Sequence, residues 1–208
     1  MASLRNTRYG KEHVMHRDDH KDTNLKWDER FREEACVLGT EPSRYLADNM
    51  ELIKSLVPGM RALDIACGEG RNSIYLAGLG FRVVGLDISE AGLEKAHAWM
   101  EREGLMIDFR RVNLEEYDFG EQYDLIINFN FLLRDLIPKT VAALAPGGII
   151  VFDTLLDSPY VPTTHKKEHL LEPGELLRIF RGFPGEILLP EERLYDQMPT
   201  ARLIFHKA

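Results

Sequence analysis

Cysteine is nearly absent: Cys36 and Cys67 are the only two in 208 residues. Their spacing matches neither a redox pair nor a metal-ligand set, so no disulfide framework and no metal site is expected. No apolar run approaches the ~18–20 residues that cross a bilayer, which excludes a helical membrane span. The polar first residues lack the apolar stretch of a secretory signal, so a cytoplasmic location is expected. An excess of positive charge is lacking as well. The net charge is −8, and residues 1–26 hold six Lys or Arg against four Asp or Glu. The remaining 20 basic and 30 acidic side chains leave a body that repels a phosphate backbone. Nucleic acid is therefore not the expected partner. What is present is ordinary for a folded domain: 44% hydrophobic and 29% charged residues, enough to bury one sizeable core.

The chain divides into a polar, His-rich segment, 1–26, read as a flexible arm, and a single domain over 27–208. Trp27 to Phe31 is the first stretch able to pack. Thr40-Glu41-Pro42 reads as a helix start with Thr40 as N-cap, followed by Leu46, Met50, Ile53 and Val57 at helical spacing. From Arg61 onward short apolar runs alternate with helical segments. Strands are expected over 62–66, 82–87, 107–112, 123–129 and 148–154, with two more near 186–192 and 201–206. Helices are expected over 72–79, after a Ser89 cap, over 132–144 with a kink at Pro138, and from Pro173 to Phe180. This alternation predicts an α/β fold: a doubly wound, mainly parallel seven-stranded sheet. Ligands of such sheets bind beyond the C-terminal strand ends, at the switch in strand order.

The loop Asp64-Ile65-Ala66-Cys67-Gly68-Glu69-Gly70 falls at such an end. Gly68 and Gly70 permit a tight turn and a close approach of ligand to backbone, and the helix that follows offers free N–H groups to an anion. Asp87 closes the second strand, 17 residues after Gly70, where a carboxylate can accept both ribose hydroxyls of an adenosine. Two cofactor classes use this geometry. A dinucleotide fingerprint wants a third glycine, where Ser73 stands, and Asp64 would repel its phosphates. S-adenosylmethionine has no phosphate; its ammonium and sulfonium suit Asp64, and its carboxylate suits the helix start. The plain structural alternatives are that Asp64 caps the loop and Asp87 caps the helix at Ser89. Cys67 reads as a small loop residue, since nothing near it in sequence would activate a thiol.

Leu63 to Gly70 resembles motif I of the class I S-adenosylmethionine-dependent methyltransferases, and Leu86-Asp87-Ile88-Ser89 resembles their acidic motif II. The stretches Gly70-Arg71-Asn72-Ser73, Asn128 to Leu132 and Leu170 to Leu176 are similar to the tellurite-resistance-type small-molecule methyltransferases. The resemblance implies a Rossmann-like fold of this class and S-adenosyl-L-methionine as cofactor. It implies cofactor contacts from Trp27, Asp64, Ala66, Gly68, Gly70, Asn72, Asp87, Ile88, Asn128 and, beside the adenine, Asn113 and Leu114. It also implies a small acceptor, a thiol or a chalcogen oxyanion such as tellurite or selenite.

Methyl transfer to a soft nucleophile needs alignment more than proton transfer. No catalytic motif stands out, in keeping with that chemistry. The fourth strand ends in Asn128-Phe129-Asn130-Phe131, not in the proline-rich motif that aligns a planar amino group, and no Pro-Cys nucleophile occurs. Asn130 and Arg134 follow that strand, and Arg134 could bind an anionic acceptor. His165 and His169 could act as bases from a loop after the fifth strand. Trp27 could cover the cofactor or anchor the first helix. The competing readings are a protein or RNA methyltransferase, a nicotinamide-dependent oxidoreductase and a non-catalytic binding protein.

Overall fold

A computed structural model describes residues 17–33, 36–37, 39–161 and 166–208, with side chains from Leu25 onward. Its helices and strands follow in the order α1 (Arg17–Glu33), α2 (Arg44–Asp48), α3 (Met50–Leu56), β1 (Arg61–Ile65), α4 (Arg71–Gly78), β2 (Arg82–Asp87), α5 (Glu90–Arg102), β3 (Ile107–Arg111), β4 (Tyr123–Phe129), α6 (Leu136–Ala142), β5 (Leu144–Leu155), α7 (Glu175–Phe180), β6 (Gly185–Arg193) and β7 (Thr200–Lys207). The seven strands form one sheet in the order β3-β2-β1-β4-β5-β7-β6. β1 to β5 run parallel, and β7 pairs antiparallel with both β5 and β6. Strand order reverses between β1 and β4, so the crevice of the doubly wound fold opens there.

Alternating strand side chains feed two cores. Ala62, Leu125, Ile127, Val151 and Ile204 face the layer of α3, α4 and α5, while Leu63, Ile126, Ile150, Leu203 and Phe205 face α6 and α7. β4 is apolar on both faces because both are covered.

Three local expectations change. The polar segment before Trp27 is helical from Arg17, so α1 begins ten residues inside the expected arm; residues 1–16 and His165 lie outside the described residues. Thr40 is no N-cap: α2 starts at Arg44 behind Ser43, and Asn49 separates α2 from α3. Leu46, Met50 and Ile53 are nevertheless buried, as their spacing implies. Pro138 does not kink a helix, because α6 starts only at Leu136. Proline costs nothing in the first turn, where its missing N–H would have no partner.

Gly85 shows how tightly the sheet is packed under the crevice. It pairs with Asp64 on β1 and Phe109 on β3. A Cβ there would lie 2.6 Å from the Phe109 ring and 3.1 Å from Cys67 Sγ. Gly85→Ala is expected to destabilise the fold by roughly 1–3 kcal/mol through overpacking. Adding Phe109→Leu should recover part of that loss. Urea denaturation checks both, and a single variant as stable as the parent would show that the ring has room to move.

Candidate functional site

The loop between β1 and α4 turns sharply. Ala66, Gly68 and Gly70 have φ of 54°, 55° and 82°, all left-handed. The two glycines take this conformation freely, whereas Ala66 is strained by it. Gly70 also packs closely: a Cβ would lie 3.0 Å from Ala96 and from the Phe109 ring. The loop amides are spoken for in part. Cys67 N–H donates to Leu86 carbonyl, Gly70 N–H to Cys67 carbonyl and Gly68 N–H to Asp87 Oδ2 at 2.7 Å. Asp87 Oδ1 accepts Ser89 N–H at 2.8 Å. Asp87 therefore caps the α5 turn and the loop together.

Asp64 is buried at the end of β1, and its Oδ2 accepts the Ser73 hydroxyl at 2.7 Å. Burial pushes its pKa up to about 7, the Ser73 bond opposes that, and the Asp87 charge adds to it. Burial likewise raises Asp87, against the N–H groups of Ser89 and Gly68. Burial also lifts the Cys67 thiol well above its ordinary value, so it stays protonated and is no nucleophile. Two buried carboxylates side by side, both held above their ordinary range, suit a ligand carrying positive charge on the loop side. S-adenosylmethionine, with its ammonium and sulfonium, meets that requirement; a dinucleotide pyrophosphate does not.

The crevice is roofed. Phe31 of α1 is buried against Gly68 and Gly92, where a Cβ on either would lie 3.1 Å and 3.2 Å from its ring. Trp27 stacks on Phe31 at 5.7 Å, with Arg30 also over its ring, so it reaches the loop through Phe31. Asp28 accepts the Ser89 hydroxyl and Ala91 N–H, tying α1 to the start of α5. Burial pushes Asp28 up, but Ser89, Ala91 and Arg32 outweigh it and hold the carboxyl below its usual value. Ahead of α2, Val37 N–H donates to Glu69, which also pairs with Lys95 at 2.9 Å, and Ser43 N–H donates to Asn72 Oδ1. An open cleft of about 510 Å³ lies at the opposite end of the strands, beside Arg82, Met106 and Arg110, and holds none of the residues singled out from sequence.

Several expected roles shift. Asn72 spends its carbonyl oxygen on Ser43 and fastens the roof. Leu114 is buried in the α6–α7 core. Asn113 Oδ1 accepts Glu115 N–H, which leaves its amide nitrogen for a ligand. The carbonyl of Ile88 accepts from Arg111. Asn128 is buried and donates to Phe131 carbonyl at 2.7 Å, shaping the turn after β4. Asn130 is exposed there with φ 55°, a conformation asparagine tolerates.

Arg134 is committed to partners within the protein. Its guanidinium donates twice to Glu175, at 2.6 and 2.9 Å, and to the carbonyls of Glu168 and Leu170. It clamps the segment before α7 onto the turn after β4. His169 ends a 3₁₀ turn, Lys167–His169, half exposed and beside Glu168 at 3.9 Å. Among the described residues no group of three or more His, Cys, Asp or Glu could hold a metal, and no helix is long and apolar enough to cross a membrane. Three residues not singled out from sequence matter here: Asp28, Phe31 and Asp153. Asp153 alone left a readable trace, a charge inside the apolar run Ile149 to Leu156.

Sheet order, glycine turn and paired strand-end carboxylates define a Rossmann-like, nucleoside-binding α/β protein. Comparison with known proteins narrows this. Residues 62–148 match a family described as a methyltransferase domain. A ubiquinone biosynthesis O-methyltransferase of Ruegeria pomeroyi is 36% identical over 145 residues, 59% of this chain and 58% of the relative. The Bordetella avium protein of that name is 32% identical over 149 residues, 61% of each chain. The chain thus spans about three-fifths of the length of these curated relatives. In fold it is similar to TehB from Haemophilus influenzae, with a TM-score of 0.69 and 22% identity over 88% of this chain and 67% of that one. It is also similar to the magnesium protoporphyrin IX methyltransferase of Synechocystis with bound SAH, with a TM-score of 0.64 and 17% identity over 92% and 98%. The matched stretch, residues 62–148, is thus similar to a methyltransferase domain, and the sheet order agrees with the fold of both solved structures.

Two substitutions test these assignments. Because burial raises Asp64, the folded state holds its proton more tightly than the unfolded chain. That contribution to stability is complete below about pH 4 and is lost as pH rises through about 7. Asp64→Asn should therefore be more stable than the parent at pH 8, by roughly 2–4 kcal/mol, and should lose that advantage toward pH 4. It should also bind S-adenosylmethionine more weakly. Urea midpoints across pH and calorimetry read the two effects, and a gain equal at all pH values would refute the buried charge. Arg134→Ala should cost about 1–3 kcal/mol, from Glu175 Oε1 and two carbonyls left without donors, and should expose 166–175 to hydrogen exchange. Unchanged protection there would remove the clamp.

Proposed function

We propose that this protein transfers a methyl group from S-adenosylmethionine to a small molecule. The observation that carries this reading is the paired buried carboxylates Asp64 and Asp87 beside the Gly68–Gly70 turn, a cradle for a cationic nucleoside. Asp87 would hold the ribose, Asp64 would favour the cationic side, and the start of α4 would take the carboxylate. When bound, the cofactor supplies an activated methyl that is displaced in line from its sulfur. The protein's own part is to align the acceptor and keep water away. The roof of α1 and the segment before α2 encloses the crevice, which favours a small acceptor over a macromolecule.

The sequence favours a thiol or an oxyanion of selenium or tellurium as acceptor. With Arg134 committed to Glu175, the oxyanion loses the cation proposed to bind it. A partly buried carboxylate at the end of β5, Asp153, favours a second reading, a hydroxyl acceptor. The relatives' name, O-methyltransferase, describes oxygen as their acceptor atom and supports the same reading.

S-adenosylhomocysteine should raise the melting temperature. Asp87→Ala should weaken its binding by roughly 2–4 kcal/mol, from two lost hydrogen bonds with charge character. Calorimetry showing unchanged affinity would take Asp87 out of the ribose role. Incubation with labelled cofactor and a panel of hydroxyl compounds, thiols, selenite, tellurite, RNA and protein extract should place label in low-mass products. Label found only in RNA or protein would sink the small-acceptor reading.

A further inference from the structure

Asp153 sits near the C-terminal end of β5, in register with Phe129 of β4 and Arg202 of β7. Its backbone carbonyl accepts Asn130 N–H at 2.9 Å, which fixes it to the turn where β4 ends. Its side chain shares a sheet face with Ile149 and Val151, the face covered by the α4 layer. Arg202 lies at 4.0 Å from Oδ2, and the Thr200 hydroxyl donates to the carboxylate. Arg202 is itself held elsewhere: it pairs with Glu191 and stacks over the Tyr45 ring at 4.6 Å. Oδ1 is shut off from solvent and has no hydrogen-bond partner among the described residues. Leaving such an oxygen unmatched is costly, and a catalytic role is one of the reasons a fold retains such an atom.

Its position relative to the loop is informative. β5 is separated from β1 by β4 alone, so Asp153 stands two strand spacings, about 10 Å, from the strand that carries Asp64. That interval suits a small acceptor lying over the end of β4. Arg71, at the start of α4, interacts electrostatically with both Asp64 and Asp153, which ties the two carboxylates to one crevice. Asn130, exposed at the end of β4, borders the same interval.

We propose that Asp153 is the proton acceptor of the reaction and that the methyl acceptor is a small hydroxyl compound whose O–H donates to Oδ1 once the cover of that atom shifts to admit it. This rests on the methyl-transfer reading above. The acceptor's O–H bond breaks and its proton passes to Oδ1, the freed oxygen pair forms the bond to the methyl carbon, and the carbon–sulfur pair stays on sulfur. Asp153 then returns the proton to water. Burial, opposed chiefly by Arg202, pushes its carboxyl up to about 6, close to where a general base works best near neutrality.

The test uses the full chain, wild type, Asp153→Asn and Asp153→Ser, the second in case the amide disturbs Arg202. Probes are catechol, phenol, a set of simple alcohols and hydroxy acids, 2-mercaptoethanol and selenite. Wild type should methylate a hydroxyl probe, and both variants should lower kcat on it by 100-fold or more. Both should bind S-adenosylhomocysteine within twofold of wild type by calorimetry. Retained kcat in both folded variants, or methylation of thiol or selenite only, overturns the proposal and leaves methyl transfer standing. No binding of S-adenosylhomocysteine by wild type overturns the reading beneath it.

Discussion

One carboxylate joins the two turns on which the crevice depends. Asp87 receives Gly68 N–H on one oxygen and Ser89 N–H on the other, linking the loop after β1 to the turn after β2. Parallel strands end by leaving N–H groups that the sheet cannot satisfy, and a buried acceptor between two such ends serves both. The linkage then extends outward. Ser89 donates to Asp28, Asp28 fixes α1, and α1 sets Phe31 against Gly68, so the chain of contacts returns to the loop where it began. Loss of any link loosens both the glycine turn and its cover.

Asp64, Asp87 and Asp153 stand at the ends of three parallel strands, all raised by burial. A stability-optimised protein would carry neutral side chains at such places. Their concentration around one opening is the mark of a site that tolerates destabilised charge for the sake of a ligand. Arg71 sits among them and feels both Asp64 and Asp153, so the local field is mixed rather than uniformly negative.

Much of the fold was legible in the sequence because its signals are local. The strand periods, the turn glycines, the strand-end Asp87 and the Ser89 cap, which accepts Gly92 N–H, each act within a few residues. What sequence reading missed is non-local. The partners of Arg134 lie 34 to 41 residues away, so nothing near it signals a clamp. Phe31 meets Gly68 only through the docking of α1, and Asn72 meets Ser43 across 29 residues. The helix before Trp27 was hidden because its mean hydropathy is low and its residues resemble a solvated tail. Its polar tether is the buried Asp28, which no periodicity reveals.

The place of β7 has a consequence for how the chain assembles. β6 precedes β7 in sequence, yet β7 lies between it and β5. β6 therefore has no neighbour to join until the later strand has threaded into place. Leu203, Ile204 and Phe205, all fully buried, arrive with that strand, so both cores stay open along one side until it is made. During that interval the edge of β5 presents unpaired backbone and apolar side chains to other chains. The chain is thus most prone to misassociate after β5 has formed and before β7 closes the gap.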